Sequence, residues 1–189
     1  MARVRLWVAA SVDGFIADTA GGIGWLKPFE ALDYGFDHFL SDISTLVMGR
    51  ATYEQVRGLG RWPYPGRRTV VVTSRSMDTA PDEVEPWLGD IAELAAELKK
   101  SDGDAWVMGG AKAIRAFLDV GAIERIQMLM MPVLLGAGIP LFLPAATPLP
   151  LLLLHTRRFE NGVVELDYAV TGRNAAPQPA KTRKPSSTR

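Results

Sequence analysis

The sequence predicts an α/β protein with a central mixed sheet, parallel in its body and antiparallel at its C-terminal edge, flanked by about four helices. Three observations predict it. At residues 45–54 and 106–118 a short apolar strand runs through a glycine turn into a helix-like pattern. Thr69-Val70-Val71-Val72-Thr73 is a run of β-branched residues without alternation, as in a strand covered on both faces. In the last third, strand-like segments at 151–158 and 163–170 are joined around Asn161-Gly162, the strongest short hairpin signal in the chain.

The 189 residues fit one domain over 1–170, with a tail at 171–189. The tail holds Arg173, Lys181, Arg183, Lys184 and Arg189 with no acid and few apolar side chains, so it is expected to be disordered. Acidic and basic residues balance overall, which leaves the body mildly acidic and argues against a nucleic-acid-binding face. Cysteine is absent and only His38 and His155 are available, so no metal site is expected. No signal-peptide pattern or membrane-length apolar run is present, and a cytoplasmic protein is the expectation.

Taken in order, residues 3–10 form a strand that leaves through the Asp13-Gly14 turn. The glycine-rich loop 19–26 presents Ile23, Trp25 and Leu26, either folded on its own side chains or acting as a flap over a ligand. Phe29, Leu32, Phe36, Phe39, Leu40 and Ile43 recur at helical spacing, so one helix is expected across them. Asp33 falls within that stripe. A carboxylate on a core-facing stripe is costly unless it is paired or borders a polar cavity, which makes Asp33 the candidate functional acid and Asp37 the second. A cap or an ion pair is the plainer alternative for either.

At 45–54, Val-Met-Gly leads into Arg50, Thr52 and a helix. A cation at a helix N-terminus faces the wrong end of the dipole unless an anion is present, so Arg50 points to a phosphate. The strand at 69–73 ends in Thr73, Ser74 and Arg75, at the place where open α/β sheets bind ligands. Arginine is well matched to phosphate oxygens. Asp90 and Glu93 form a capping-box pattern ahead of a helix with Leu94, Ala95 and Leu98 on its buried side. Gly109 and Gly110 leave no β-carbon between strand and helix, and the helix entered through Ala111 and Lys112 points free amides at that gap. Tight strand-to-helix packing is the other reading of the pair. Residues 123–133 form a strand, followed by a glycine loop at 134–142. The apolar excess between Met128 and Leu154 predicts a homodimer.

Ser11-Val12-Asp13-Gly14-Phe15-Ile16, Met48-Gly49-Arg50-Ala51-Thr52-Tyr53-Glu54, Pro65-Gly66-Arg67, Val72-Thr73-Ser74-Arg75 and Met108-Gly109-Gly110-Ala111 follow one another in an order and spacing that resemble the dihydrofolate reductase-like superfamily. That group includes the reductase domain of riboflavin biosynthesis and its stand-alone bacterial relatives. The resemblance implies a three-layer α/β/α fold and NADPH. It assigns the pyrophosphate to the turns Gly109-Gly110-Ala111-Lys112 and Gly49-Arg50-Ala51-Thr52. Thr73, Ser74 and Arg75, with Arg50, fall at the adenosine 2′-phosphate, and Ala9 and Ile16 border the nicotinamide. Asp33 matches the acid that contacts the pterin ring in dihydrofolate reductases, although Pro28-Phe29-Glu30-Ala31-Leu32 replaces their Leu-Pro. The segment 117–142 is more similar to the riboflavin-type reductases. The implied activity is therefore hydride transfer from NADPH to a small heterocycle of the 5-amino-6-(5-phosphoribosylamino)uracil reductase type. A dihydrofolate or pteridine reductase is the alternative, and a non-catalytic NADP-binding sensor or assembly module is the alternative of another class. The implied partners are a small-molecule substrate and a second copy, with no nucleic acid and no membrane.

Overall fold

The computed structural model describes residues 1–77 and 83–172. From Arg173 onward, the expected tail lies outside the described residues. Eight strands form the main sheet: β1 (Val4–Ser11), β3 (Ile43–Gly49), β4 (Arg68–Val72), β5 (Val84–Trp87), β6 (Asp104–Gly109), β7 (Ile123–Met131), β9 (Leu151–Arg158) and β10 (Val164–Val170). Their spatial order is β5-β4-β3-β6-β1-β7-β10-β9. The first six pair in parallel, and β10 pairs antiparallel with both β7 and β9. The expected mixed sheet with an antiparallel C-terminal edge is thus present. A two-stranded accessory sheet joins β2 (Phe15–Ala17) to β8 (Ile139–Pro140). Neither β2, β5 nor β8 was expected, each being too short for a pattern of its own.

Alternate residues of the strands serve two cores. On one face Val4, Leu6 and Val8 of β1 meet Leu94 and Leu98 of α3 (Ile91–Leu98) and Ile114 and Phe117 of α4 (Ala111–Asp119). On the other, Leu46, Met48 and Trp106 meet Phe39 of α1 (Phe36–Ser41) and Tyr53 of α2 (Arg50–Gly58). The result is three layers. Aromatic rings dominate the second core: Trp106 packs edge-on to Phe39, Phe36 and Tyr64, and its Nε1 donates to the Trp7 carbonyl at 2.9 Å.

The single helix expected across Phe29 to Ile43 is not formed. A 3₁₀ helix spans Gly24–Phe29, the short α1 follows after a turn, and Ile43 already belongs to β3. Gly35 at φ +85° breaks the path, a backbone conformation that a glycine adopts without steric cost. The helical spacing of the apolar residues therefore serves two cores. Phe29 and Leu32 pack on Leu129, Met131, Phe159 and Val163, whereas Phe36 and Leu40 join the aromatic core.

Candidate functional site

Parallel strands deliver the cofactor-side candidates to one end of the sheet. β3 and β6 are neighbours with Met48 opposite Gly109, so the turns that follow them lie side by side. A β-carbon on Gly49 would sit 3.7 Å from the Gly110 nitrogen and 3.9 Å from the Gly109 carbonyl oxygen. A β-carbon on Gly110 would sit 3.3 Å from Thr52 Oγ1. Bare backbone from both turns and one hydroxyl thus face a common gap. Gly109 has φ +143°, a region that disfavours any side chain, and the Gly109-Gly110 peptide is cis. Thr52 of the neighbouring helix closes on the glycine pair, which is the tight packing that the missing β-carbons allow.

Two helices start at this gap. α2 and α4 begin after Gly49 and Gly110, and neither cap residue supplies a side-chain hydrogen bond to the first amides. α3, by contrast, is capped by Asp90, which accepts from the Ala92 amide at 2.6 Å. Uncapped helix starts retain N–H groups and the positive end of the dipole for an anionic guest. Ala111 is buried beneath the turn and Lys112 is exposed beside it.

Arg50 lies in the first turn of α2 as expected. Its Nε donates to Glu54 at 2.8 Å and its guanidinium reaches the Ser76 carbonyl at 3.2 Å. Glu54 therefore supplies part of the negative charge that Arg50 needs at a helix N-terminus. The bond to Ser76 also ties α2 to the loop after β4. In that loop the Thr73 hydroxyl donates to the Arg75 carbonyl and accepts from the Arg75 amide, both at 3.1 Å, leaving Ser74 and Arg75 exposed at the strand end. Among the described residues no carboxylate pairs with Arg75 or Lys112.

The segment around 24–35 packs against β1 and β7. Ala9 of β1 packs in one cluster with Trp25, Leu26, Phe29, Leu32 and Tyr34, while Ile16 of β2 packs against the core of the α3 and α4 face. One local and one long-range bond, both at Tyr34, fix the segment. Tyr34 Oη donates to the Phe29 carbonyl at 2.7 Å and accepts from Asn161 Nδ2 at 2.6 Å. The Tyr34 ring also meets Phe159 edge-on, with centroids 4.9 Å apart. Asn161 belongs to the hairpin turn, and nothing in its local sequence points to Tyr34.

Asp33 is exposed, not part of a buried helical stripe. Its Oδ1 accepts the Gly35 amide at 2.7 Å, the local turn bond an aspartate makes when the helix is broken there. The desolvation expected from a core-facing position is therefore missing. Asp37 is exposed in the first turn of α1, and His38 points to solvent as expected. Among the described residues no group of three or more His, Cys, Asp or Glu side chains could hold a metal ion.

One further polar arrangement has no signal in the local sequence spacing. Buried Ser11 donates to Asp13 Oδ1 at 2.6 Å, and the Asp13 carboxylate accepts the Leu135 and Gly136 amides at 3.1 and 2.7 Å. The Ser11 hydroxyl and those amides hold the Asp13 carboxyl below the usual carboxylate range. Ser11-Val12-Asp13-Gly14 is thus a clasp between the end of β1 and the glycine loop after β7. A second such contact is from Gln55 of α2, whose Nε2 donates to the Gly21 carbonyl at 3.1 Å and draws the glycine loop toward α2.

The RibD C-terminal domain model matches residues 2–165. The chain belongs to that family. The uncharacterized protein YwjB of Bacillus subtilis (strain 168) is 36% identical over 170 residues, covering 88% of this chain and 97% of its own. Among solved structures, a Shewanella sp. PV-4 protein assigned provisionally to riboflavin biosynthesis superposes with a TM-score of 0.80 at 27% identity, over 91% of this chain and all of that one. Dihydrofolate reductase from Enterococcus faecalis, complexed with NADP(H) and RAB-propyl, superposes with a TM-score of 0.65 at 22% identity, over 90% and 97% of the two chains. This RibD C-terminal domain therefore has the dihydrofolate reductase-like fold expected from its motifs.

Proposed function

We propose that the protein is a cytoplasmic NADPH-dependent reductase that transfers a hydride to a small heterocyclic substrate of the riboflavin type. The observation that carries this reading is the meeting of two uncapped helix starts over bare glycine backbone, next to a strand end whose Arg75 pairs with no carboxylate among the described residues. One helix start binds an anion weakly. Two that share a gap suit a diphosphate, and Arg75 with Arg50 at its flank suits a further phosphate. Membership of the RibD C-terminal family, and the NADP(H) named with the Enterococcus reductase, support the same reading.

The residues present fit such a cofactor. Gly49, Arg50, Thr52, Gly109, Gly110, Ala111 and Lys112 would hold the pyrophosphate; Thr73, Ser74 and Arg75 would face the adenosine end; Ala9 and Ile16 would border the nicotinamide. The cofactor supplies the hydride when bound, and the chain orients it and excludes water. A hydride added to a C=N or C=O carbon must be matched by a proton on the heteroatom. Asp33 is the proposed positioning or relay group, acting through Oδ2 because Oδ1 is committed to Gly35.

A paired titration with NADPH and NADH, followed by nicotinamide fluorescence, tests the cofactor site. NADPH-selective binding that weakens about tenfold or more in Arg75→Ala is expected, since a charge-assisted hydrogen bond contributes about 1.5–3 kcal/mol. Failure to bind either nucleotide sinks the reading. Cofactor oxidation with a pyrimidine and pteridine panel then separates the riboflavin-type substrate from the pteridine one. Asp33→Asn should lower turnover and leave NADPH affinity alone; unchanged turnover removes Asp33 from the mechanism.

A further inference from the structure

Gln55 reaches from α2 to a stretch of chain that no strand pairing ties to that helix. Thr52 and Gln55 are three residues apart, so they are neighbours on one face of α2. Thr52 is the residue whose hydroxyl faces the glycine gap, 3.3 Å from where a β-carbon on Gly110 would lie. The face of α2 that fronts the gap therefore carries Gln55 one turn further on. From there Nε2 donates to the Gly21 carbonyl at 3.1 Å. Both residues are half-buried, so water competes less for this bond than it would at an exposed site.

The turn that receives the bond is closed on itself. Asp18 Oδ1 accepts the Ala20 and Gly22 amides at 2.8 and 2.7 Å. The Asp18 amide donates to the Gly22 carbonyl at 2.9 Å, and the Gly21 amide to the Asp18 carbonyl at 3.0 Å. A β-carbon on Gly22 would meet Asp18 Oδ2 at 2.6 Å, so the carboxylate fills the space a side chain would need. Residues 18–22 therefore form one unit. Among the described residues, Gln55 makes the only hydrogen bond that ties this unit to another part of the fold. The unit stands between Ile16 of β2 and Trp25 of the 3₁₀ helix, and Trp25 and Leu26 share a cluster with Ala9.

We propose that Gln55 is a positioning residue, which couples the helix start at the glycine gap to the 18–22 turn and, through that turn, to Ile16. The proposal rests on the cofactor reading above, in which Arg50 and Thr52 lie at the phosphates and Ile16 at the nicotinamide. A ligand held at the first turn of α2 restrains that helix, and the side-chain amide of Gln55 passes the restraint to the turn. Coupling of this kind is reciprocal. Whatever order the cofactor adds to the turn, the turn returns as cofactor affinity by the same factor. The coupling needs an N–H at this position, and methionine has the length of glutamine without a donor or a charge.

Amide hydrogen exchange of the full chain, with and without saturating NADPH, tests this in the wild type and in Gln55→Met beside a fluorescence titration. In the wild type NADPH is expected to slow exchange both at 109–112 and at 18–22. In Gln55→Met the protection at 109–112 persists. The protection that NADPH adds at 18–22 falls by about two- to tenfold, the range for one neutral hydrogen bond, and NADPH affinity falls by the same factor. A bond with only a structural role would speed exchange at 18–22 equally with and without NADPH and leave affinity unchanged; that result overturns the proposal. So does a Gln55→Met protein that behaves as the wild type. Protection at 109–112 without protection at 18–22 in the wild type also overturns it, and leaves the cofactor reading standing. No protection at 109–112 in the wild type removes the cofactor reading, and the role of Gln55 with it.

Discussion

At the glycine turns the candidate ligand-facing groups are main chain, held by the parallel pairing of β3 with β6 and by the helices that start from them. Around residues 24–35 they are side chains, carried by a 3₁₀ helix and a turn tied through Tyr34 to Asn161, 127 residues further along the chain. A wall of backbone tolerates little change, because every substitution adds atoms where there were none. A wall of side chains on a tethered segment can be altered while its neighbour stays fixed. For the reductase proposed above, cofactor binding and substrate choice would then be separable properties.

The strongest way to break this comparison is Gly109→Ala. At φ +143° a side chain is strained, and the turn that faces Thr52 must move to accommodate it. NADPH affinity should fall by tenfold or more, about 1.4 kcal/mol or beyond, in a fluorescence titration. Wild-type affinity would mean that the backbone is not the wall.

A smaller and more selective effect is expected from Tyr34→Phe and Asn161→Ala. Tyr34→Phe removes the bonds to Phe29 and Asn161, and Asn161→Ala removes the Tyr34 bond together with the turn bond to Val163. Loss of the shared Tyr34–Asn161 bond, worth about 1 kcal/mol, is what frees the 24–35 segment. The substrate KM should rise several-fold, by roughly the energy of one bond, while NADPH affinity stays unchanged. Equal losses on both ligands would merge the two walls into one.

The mildest test is acidification. Asp104 is pushed up by burial but held below the usual carboxylate range by the Arg3 amide and by the Arg3 and Arg5 side chains. A carboxylate with a depressed folded pKa contributes stability that is complete above its ordinary value of 3.8 and is lost as pH falls through the folded value. The Asp13 clasp follows the same sign for the same reason, with Ser11 as the first cause. A melting series through pH 5 to 3 should therefore show decline only at the acid end, and Asp104→Asn should flatten that decline. A loss of stability already present near neutral pH would contradict the assignment.

What could be read from the chain alone follows the same division. Gly49 and Gly109 sit directly between an apolar strand and an amphipathic helix, so their meaning is local, and the sheet needed only to make the two turns neighbours. The antiparallel edge was equally legible, because Asn161-Gly162 is a turn in any context. The single helix expected around Asp33 failed for a definable reason. Phe29, Leu32, Phe36 and Phe39 have helical spacing, yet Gly35 divides them between two cores, and periodicity cannot tell one buried face from two. The Tyr34–Asn161 bond was out of reach because neither residue is unusual among its neighbours. The Asp13 clasp was half visible, as its motif stood out but its partners at Leu135 and Gly136 did not.

The position of β1 in the strand order also governs how the chain reaches this structure. β1 is the first strand made, yet it lies between β6 and β7, with Val4 paired to Ala105 and Ile123. β3, β4 and β5 can assemble with one another as soon as they emerge, but β1 has both of its edges open until most of the protein has been synthesised. Such high-separation pairing is slow, and an unsatisfied apolar strand is prone to aggregate while it waits. A nascent chain that stops before β6 leaves its own first strand without a partner, so late truncation should cost solubility more than early truncation costs stability.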